Sequence, residues 1–211
     1  MEFDHLVVAA ETLEAGADHV EAALGVRPGP GGKHPDMGTH NLLLSLGPSA
    51  YLEVIAIDPV AAAPDHARWF DLDRFSGPPR LTSWVARCDD LEAALAAAPP
   101  MEGRIRDLAR GDLRWRMLVL DDGRLPFDGL YPGLIRWQGT GHPAAQLPDS
   151  GICIERLVLH HPRAEALRAA LPLPGMEHVE VVHAERPGLE AHLRTAGGRV
   201  RLGGGHAGGQ P

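Results

Sequence analysis

A strand-then-helix pattern followed by further strands occurs twice in this chain, and a chain that repeats one unit builds its core by pairing the copies. From His5, HLVVAAETLEAGADHVEAALG reads as strand then helix, with Leu13, Ala17, Val20 and Leu24 forming one apolar stripe. Gly25 follows where a left-handed residue would end the helix. After a Pro/Gly-rich loop, GVRPGPGGKHPDMG, come two strands, THNLLLSLG and AYLEVIAI. The order then recurs. LTSWVARCDDLEAALAAAP is strand then helix, with Asp89 or Asp90 as the N-terminal cap, and GDLRWRMLVL and GLIRWQG supply strands. Setting Leu13 on Leu91 places His5 on Ser83, and a separate alignment sets Gly38 on Gly111 at the entry to each third strand.

These copies define modules 2–57 and 81–138 of a paired domain over residues 2–143. Between them, DPVAAAPDHARWFDLDRFSGPPR reads as a linker. A partial third copy occupies residues 150–202: GICIERLVLHH, PRAEALRAALP, HVEVVHAE and a hairpin from GLEAHLRT and GRVRLG. The Gly-rich end, 203–211, reads as a flexible tail. The fold class is α+β, built from tandem βαβββ modules with a partial third module at the C-terminus.

Charge narrows the partners. A formal net charge of -8 offers no basic face for nucleic acid. No stretch approaches the roughly 20 apolar residues that span a bilayer, and MEFDHLVVAA is acidic where a signal peptide is basic. Cys88 and Cys153 are too few for a disulfide framework and read as small buried residues in a reducing compartment. The expectation is a cytoplasmic protein with a small-molecule ligand and neither nucleic-acid nor membrane partners.

With His5 in the first strand and Glu53 in the fourth, the runs DHLVVAA, GTHNLLLSLG and YLEVIAI resemble the glyoxalase-like domain proteins of the vicinal oxygen chelate superfamily. The resemblance covers residues 2–143. It implies two modules whose sheets curl around a cleft, often with a divalent metal there that chelates adjacent substrate oxygens and polarises them. It implies lyase, isomerase or dioxygenase chemistry on a small oxygen-rich or carboxylated molecule, with a metal-free binding or sequestering protein of the same fold as the alternative.

Carried onto this sequence, His5 and Glu53 are the metal ligands, and Glu53 is also the catalytic candidate. A carboxylate inside an apolar strand is costly unless paired, which favours a functional Glu53 over a structural one. His5 alone reads equally as a buried histidine bonded to a backbone carbonyl. The second module offers Ser83 opposite His5, and Arg136 or Gln138 opposite Glu53. None of these is a usual metal ligand. Any zinc, nickel, manganese or iron would therefore be weakly held or absent.

The glycine register sets Asn41 on Arg114 and Leu43 on Arg116, which directs Asn41, Arg114 and Arg116 into the cleft as substrate-binding residues and turns His40 away. The two arginines could clamp a carboxylate or phosphate, mark a solvated edge strand, or pair with Glu53. His34, His142 and His206 fall in Gly/Pro-rich loops, and His160 and His161 in a surface turn. The C-terminal segment either caps the sheet or serves a homodimer.

Overall fold

The structure, a computed structural model, describes residues 1–171, 173 and 175–203. The tail expected over 203–211 lies outside the described residues from 204 onward, as do His206, Pro172 and Pro174.

The first module runs β1 (Glu2–Ala9), α1 (Leu13–Leu24), β2 (Gly29–His34), β3 (Thr39–Ser45) and β4 (Tyr51–Ile57). The second runs β5 (Arg80–Arg87), α2 (Leu91–Ala96), β6 (Gly103–Arg110), β7 (Leu113–Leu120) and β8 (Gly133–Gln138). Helix α1 starts where the Thr12 hydroxyl accepts the Ala15 N–H, and ends at Gly25, whose φ of 75° is left-handed. Asp90 caps α2 in the same way through the Ala93 N–H. Two strands escape the sequence reading: β2, inside the segment read as a loop, and β6, whose GRIRDLAR lacks a run of apolar residues.

All eight strands form one sheet, ordered β2-β3-β4-β1-β5-β8-β7-β6. Within each module the first strand pairs with the fourth in parallel, β1 with β4 and β5 with β8. The modules join back to back where β1 and β5 pair antiparallel. The sheet curls until its edges, β2 and β6, approach one another. Gly32 permits that approach, because a Cβ there would meet the Arg110 side chain at 2.8 Å.

Strand alternation divides the core in two. One face of β1, β4 and β5 (Leu6, Val8, Leu52, Val54, Trp84, Ala86) packs on the helices. The opposite face (Val7, Ala9, Ile55, Val85), with Trp115, Met117 and Ile135, lines the concave interior. The expected linker is part of this interior. Trp69 and Phe70 are buried over its mouth, held by a kink in which Phe70 and Asp71 both have φ 57°. The Asp71 N–H donates to Gly123 O, fastening the segment to the loop before β8.

The C-terminal segment keeps the expected element order, β9 (Cys153–His161), α3 (Ala164–Ala170), β10 (Val179–His183), β11 (Gly188–Thr195) and β12 (Gly198–Gly203). Its strand order is β10-β9-β11-β12, unlike that of the two modules. This second sheet packs through β11 and β12 against β5 and α1, so Leu157, Leu189, Ala191 and Leu193 share a core with Trp84. His161 is not in a surface turn: it is 1% exposed, and its Nε2 donates to Asp128 Oδ2 at 2.9 Å. Cys88 and Cys153 are half-buried free thiols. Among the described residues no helix is long and apolar enough to cross a membrane.

Candidate functional site

The concave face holds a cleft of about 340 Å³, open mouth included, lined by His5, His34, Tyr51, Glu53, Arg110 and a wall of Trp69, Phe70, Trp115, Met117, Ile135 and Trp137. Strand β1 delivers two residues to this side in succession. Phe3 pairs with Ala86 and His5 with Val85, leaving Asp4 unopposed in a bulge. Asp4 is fully buried. Its Oδ1 accepts from His5 Nδ1 at 2.7 Å, and its Oδ2 accepts from Trp137 Nε1 at 2.9 Å and His142 Nε2 at 3.0 Å.

The other ring nitrogen of His5, Nε2, lies 3.6 Å from Glu53 Oε2. Asn41 Nδ2 donates to Glu53 Oε1 at 2.5 Å, while Asn41 Oδ1 accepts the Gly32 N–H at 2.9 Å. Tyr51 stacks on the His5 ring with centroids 4.4 Å apart. Asp4, His5 and Glu53 thus form a buried row of acid, base and acid. Burial opposes ionisation of each, yet the mutual contacts win. The hydrogen bond that His5 makes to Asp4 and the Glu53 carboxylate beside its other nitrogen raise the His5 pKa, while His142 and His5 together hold Asp4 well below the usual range and His5 holds Glu53 down at about 2.

His34, at the end of β2, is the neutral counterpart. Two donors, Asn41 Nδ2 at 3.4 Å and Arg110 Nη1 at 3.5 Å, approach its Nε2, so the proton sits on Nδ1 and is donated to Thr39 Oγ1 at 3.0 Å. Burial, with Arg110 nearby, pushes its pKa down to about 4.

The structure brings His5, Glu53 and Asn41 together and sends Arg114 and Arg116 elsewhere. On β7 it is Trp115 and Met117 that face the cleft. Arg114 is exposed, and Arg116 Nη1 donates to Glu92 Oε1 on α2 at 2.6 Å. The glycine register is one residue out, because Gly111 and Asp112 make a tight turn where the first module has a 3-10 turn, Pro35–Met37, before Gly38. On β8, Ile135 and Trp137 face the cleft, and Arg136 and Gln138 point away. The cleft guanidinium is instead Arg110, from the unread strand β6. Asp4 was missed by the sequence reading, although an acidic residue directly before a strand histidine was a signal that could have found it. His34, His142, Trp69 and Arg110 carried no local signal.

The donor set can be tested against a divalent metal. Tight sites take about three or four protein donors. Here His5 Nε2 and Glu53 Oε2 converge, His5 Nδ1 is engaged by Asp4, and His34 Nε2 is engaged by Asn41 and Arg110. The second module adds the Arg110 guanidinium, apolar side chains and indoles, none of them a usual donor to a divalent metal. Among the described residues no group of three or more His, Cys, Asp or Glu side chains is arranged to hold a metal ion. The residues do not fit a tightly held ion.

The model of the glyoxalase-like domain matches residues 3–173. The chain belongs to the glyoxalase-like domain family. That places it in the vicinal oxygen chelate superfamily, in keeping with two βαβββ modules around a cleft. Among solved structures, a hypothetical protein from Staphylococcus aureus is similar over 97% of this glyoxalase-like chain and 86% of its own, at 14% identity and a TM-score of 0.57. That likeness concerns fold alone. Methylmalonyl-CoA epimerase from Mycobacterium tuberculosis is similar over 66% of this chain and 89% of its own, at 17% identity and a TM-score of 0.42, too remote to carry an argument. No curated protein matches the chain.

Proposed function

We propose that this glyoxalase-like protein performs acid–base chemistry on a small oxygen-rich or carboxylated molecule, with Glu53 as base and His5 as the group that activates it. One observation carries this reading: three ionisable side chains, Asp4, His5 and Glu53, are buried in a row that ends in the cleft on the concave face. Removing such charges from water costs several kcal/mol per ion in round terms, about what a single domain can spare. A purely structural core would be served better by apolar residues.

The chemistry follows from the row. At neutral pH Glu53 is ionised, and a carboxylate with a pKa of about 2 is a weak base. A ligand carbonyl oxygen placed between the two groups would take the His5 Nε2–H. Glu53 would then lose the donor that holds its pKa low and become the stronger base, beside a carbonyl already polarised by imidazolium. Asp4, fixed by Trp137 and His142, keeps the ring oriented throughout. Proton transfer at the carbon next to that carbonyl is the reaction this favours. With two converging donors, the site favours it over chemistry at a tightly held metal.

The second reading is a metal-free binding protein, favoured by a second module that contributes a guanidinium, indoles and apolar side chains but no second acid or base. One experiment separates them. Small 2-oxo acids are incubated with the protein in D₂O, and exchange at the carbon next to the carbonyl is followed by proton NMR. Exchange above the uncatalysed rate that is lost in Glu53→Gln supports the enzyme. Ligand binding without exchange supports the binder.

A further inference from the structure

We propose that the cleft takes a monocarboxylate with a flat apolar body, its carboxylate held by Arg110 and by the indole N–H of Trp69. The inference rests on the reading of the cleft as a small-molecule site and names the ligand class.

Two polar groups of the cleft lack a matching partner. Arg110 contacts His34 Nε2 at 3.5 Å, and among the described residues no carboxylate comes within 4.0 Å of its guanidinium. The other charges that line the cleft are matched: His5 has Asp4 and Glu53, and Glu53 has His5 and Asn41. Trp69 is 5% exposed, lines the same cleft, and its Nε1 is buried without a hydrogen-bond partner. A buried N–H without an acceptor is destabilising. Both groups neighbour His34, which Arg110 contacts and against which the Trp69 ring packs, so a guanidinium and an indole N–H in this one cleft can serve the two oxygens of a carboxylate.

The remaining walls decide the rest of the ligand. Phe70, Trp115, Met117, Ile135 and Trp137 are apolar or aromatic and offer a flat body nothing to bond except stacking surface. Glu53 is ionised in the same small space, so a second carboxylate or a phosphate dianion would add repulsion that one guanidinium does not offset. This disfavours dicarboxylates and phosphate esters.

Phenylacetate, phenylacetamide, phenylsuccinate and phenyl phosphate serve as probes, with the Trp69 indole N–H resonance, assigned through Trp69→Phe, followed by ¹⁵N-edited NMR. The expected result is saturable binding of phenylacetate that moves this resonance, with the other three at least tenfold weaker. Arg110→Gln should weaken phenylacetate at least tenfold, and Arg110→Lys should recover only part of it, with melting temperatures confirming that both variants fold. Equal binding of the acid and the amide, preference for phenyl phosphate or phenylsuccinate, an unmoved Trp69 resonance, or no binding would each overturn the proposal. Glu53→Gln separates the two claims: retained phenylacetate binding without any proton exchange in the wild type would defeat the acid–base reading and leave the ligand class standing.

Discussion

His5 Nδ1 and Asp4 Oδ1 lie 2.7 Å apart although the residues are consecutive in one strand, where side chains ordinarily point to opposite faces. The bulge that leaves Asp4 without a cross-strand partner turns its carboxylate to the His5 side. A local backbone irregularity therefore creates the first link of the buried row, and Trp137 and His142, from the other end of the paired domain, fix it. The orientation of His5 depends on both modules even though the second gives no ligand of its own.

Acid sensitivity follows from Glu53. Its folded-state pKa, about 2, lies below the ordinary 4.5, so the stability it contributes is present above 4.5 and is lost as pH falls toward 2. Denaturation in urea at a series of pH values should show wild-type stability dropping through that window. Glu53→Gln should be less stable at neutral pH and should lack that part of the slope.

The placement of the arginines makes a contrasting pair of variants. Arg116 meets Glu92 at the surface, a pairing that solvent screens. Arg116→Ala should leave phenylacetate affinity unchanged and shift stability little. Loss of ligand affinity in Arg116→Ala would restore the strand parity that the sequence suggested.

Gly16 sets how closely α1 lies on β4. A Cβ at this position would come within 2.3 Å of Val54 Cγ1. Alanine favours a helix over glycine by about 1 kcal/mol, but overpacking costs about 1–3 kcal/mol. Gly16→Ala should therefore be destabilising by about 1–2 kcal/mol in chemical denaturation, against the direction of helix propensity.

Metal affinity tests the donor count. Calorimetric titration of metal-stripped protein with zinc, nickel, manganese and iron(II) should give no site tighter than about a micromolar dissociation constant, since two converging donors fall short of the usual three or four. Sub-micromolar binding that vanishes in His5→Ala and Glu53→Gln would show that the site recruits donors beyond those now facing it.

The repeat and the inward aim of His5, Glu53 and Asn41 were legible because strand alternation and helix caps are local in sequence, while the pairing of the modules came from the family resemblance. What stayed hidden depends on distant chain. His34 and Arg110 belong to β2 and β6 respectively, edge strands with too few apolar residues to show a period of two. Trp69 sits in a linker whose path over the cleft is fixed by contacts to the loop near Gly123. The parity of β7 turned on a single residue in a turn. A slip of one inverts every side chain, which is why Arg114 and Arg116 were aimed at the cleft and Trp115 and Met117 away from it.

The charge state of His5 tests the account most directly. Burial alone would make the ring neutral, whereas contacts with Asp4 and Glu53 raise its pKa above 6.5. That stabilising interaction is present below 6.5 and is lost as pH rises through the raised value. ¹⁵N NMR of the His5 ring in the ligand-free protein should place its titration midpoint above 6.5, with the midpoint falling in Asp4→Asn and in Glu53→Gln. A midpoint below 6.5, insensitive to either substitution, would contradict the buried charged row and the acid–base function built on it.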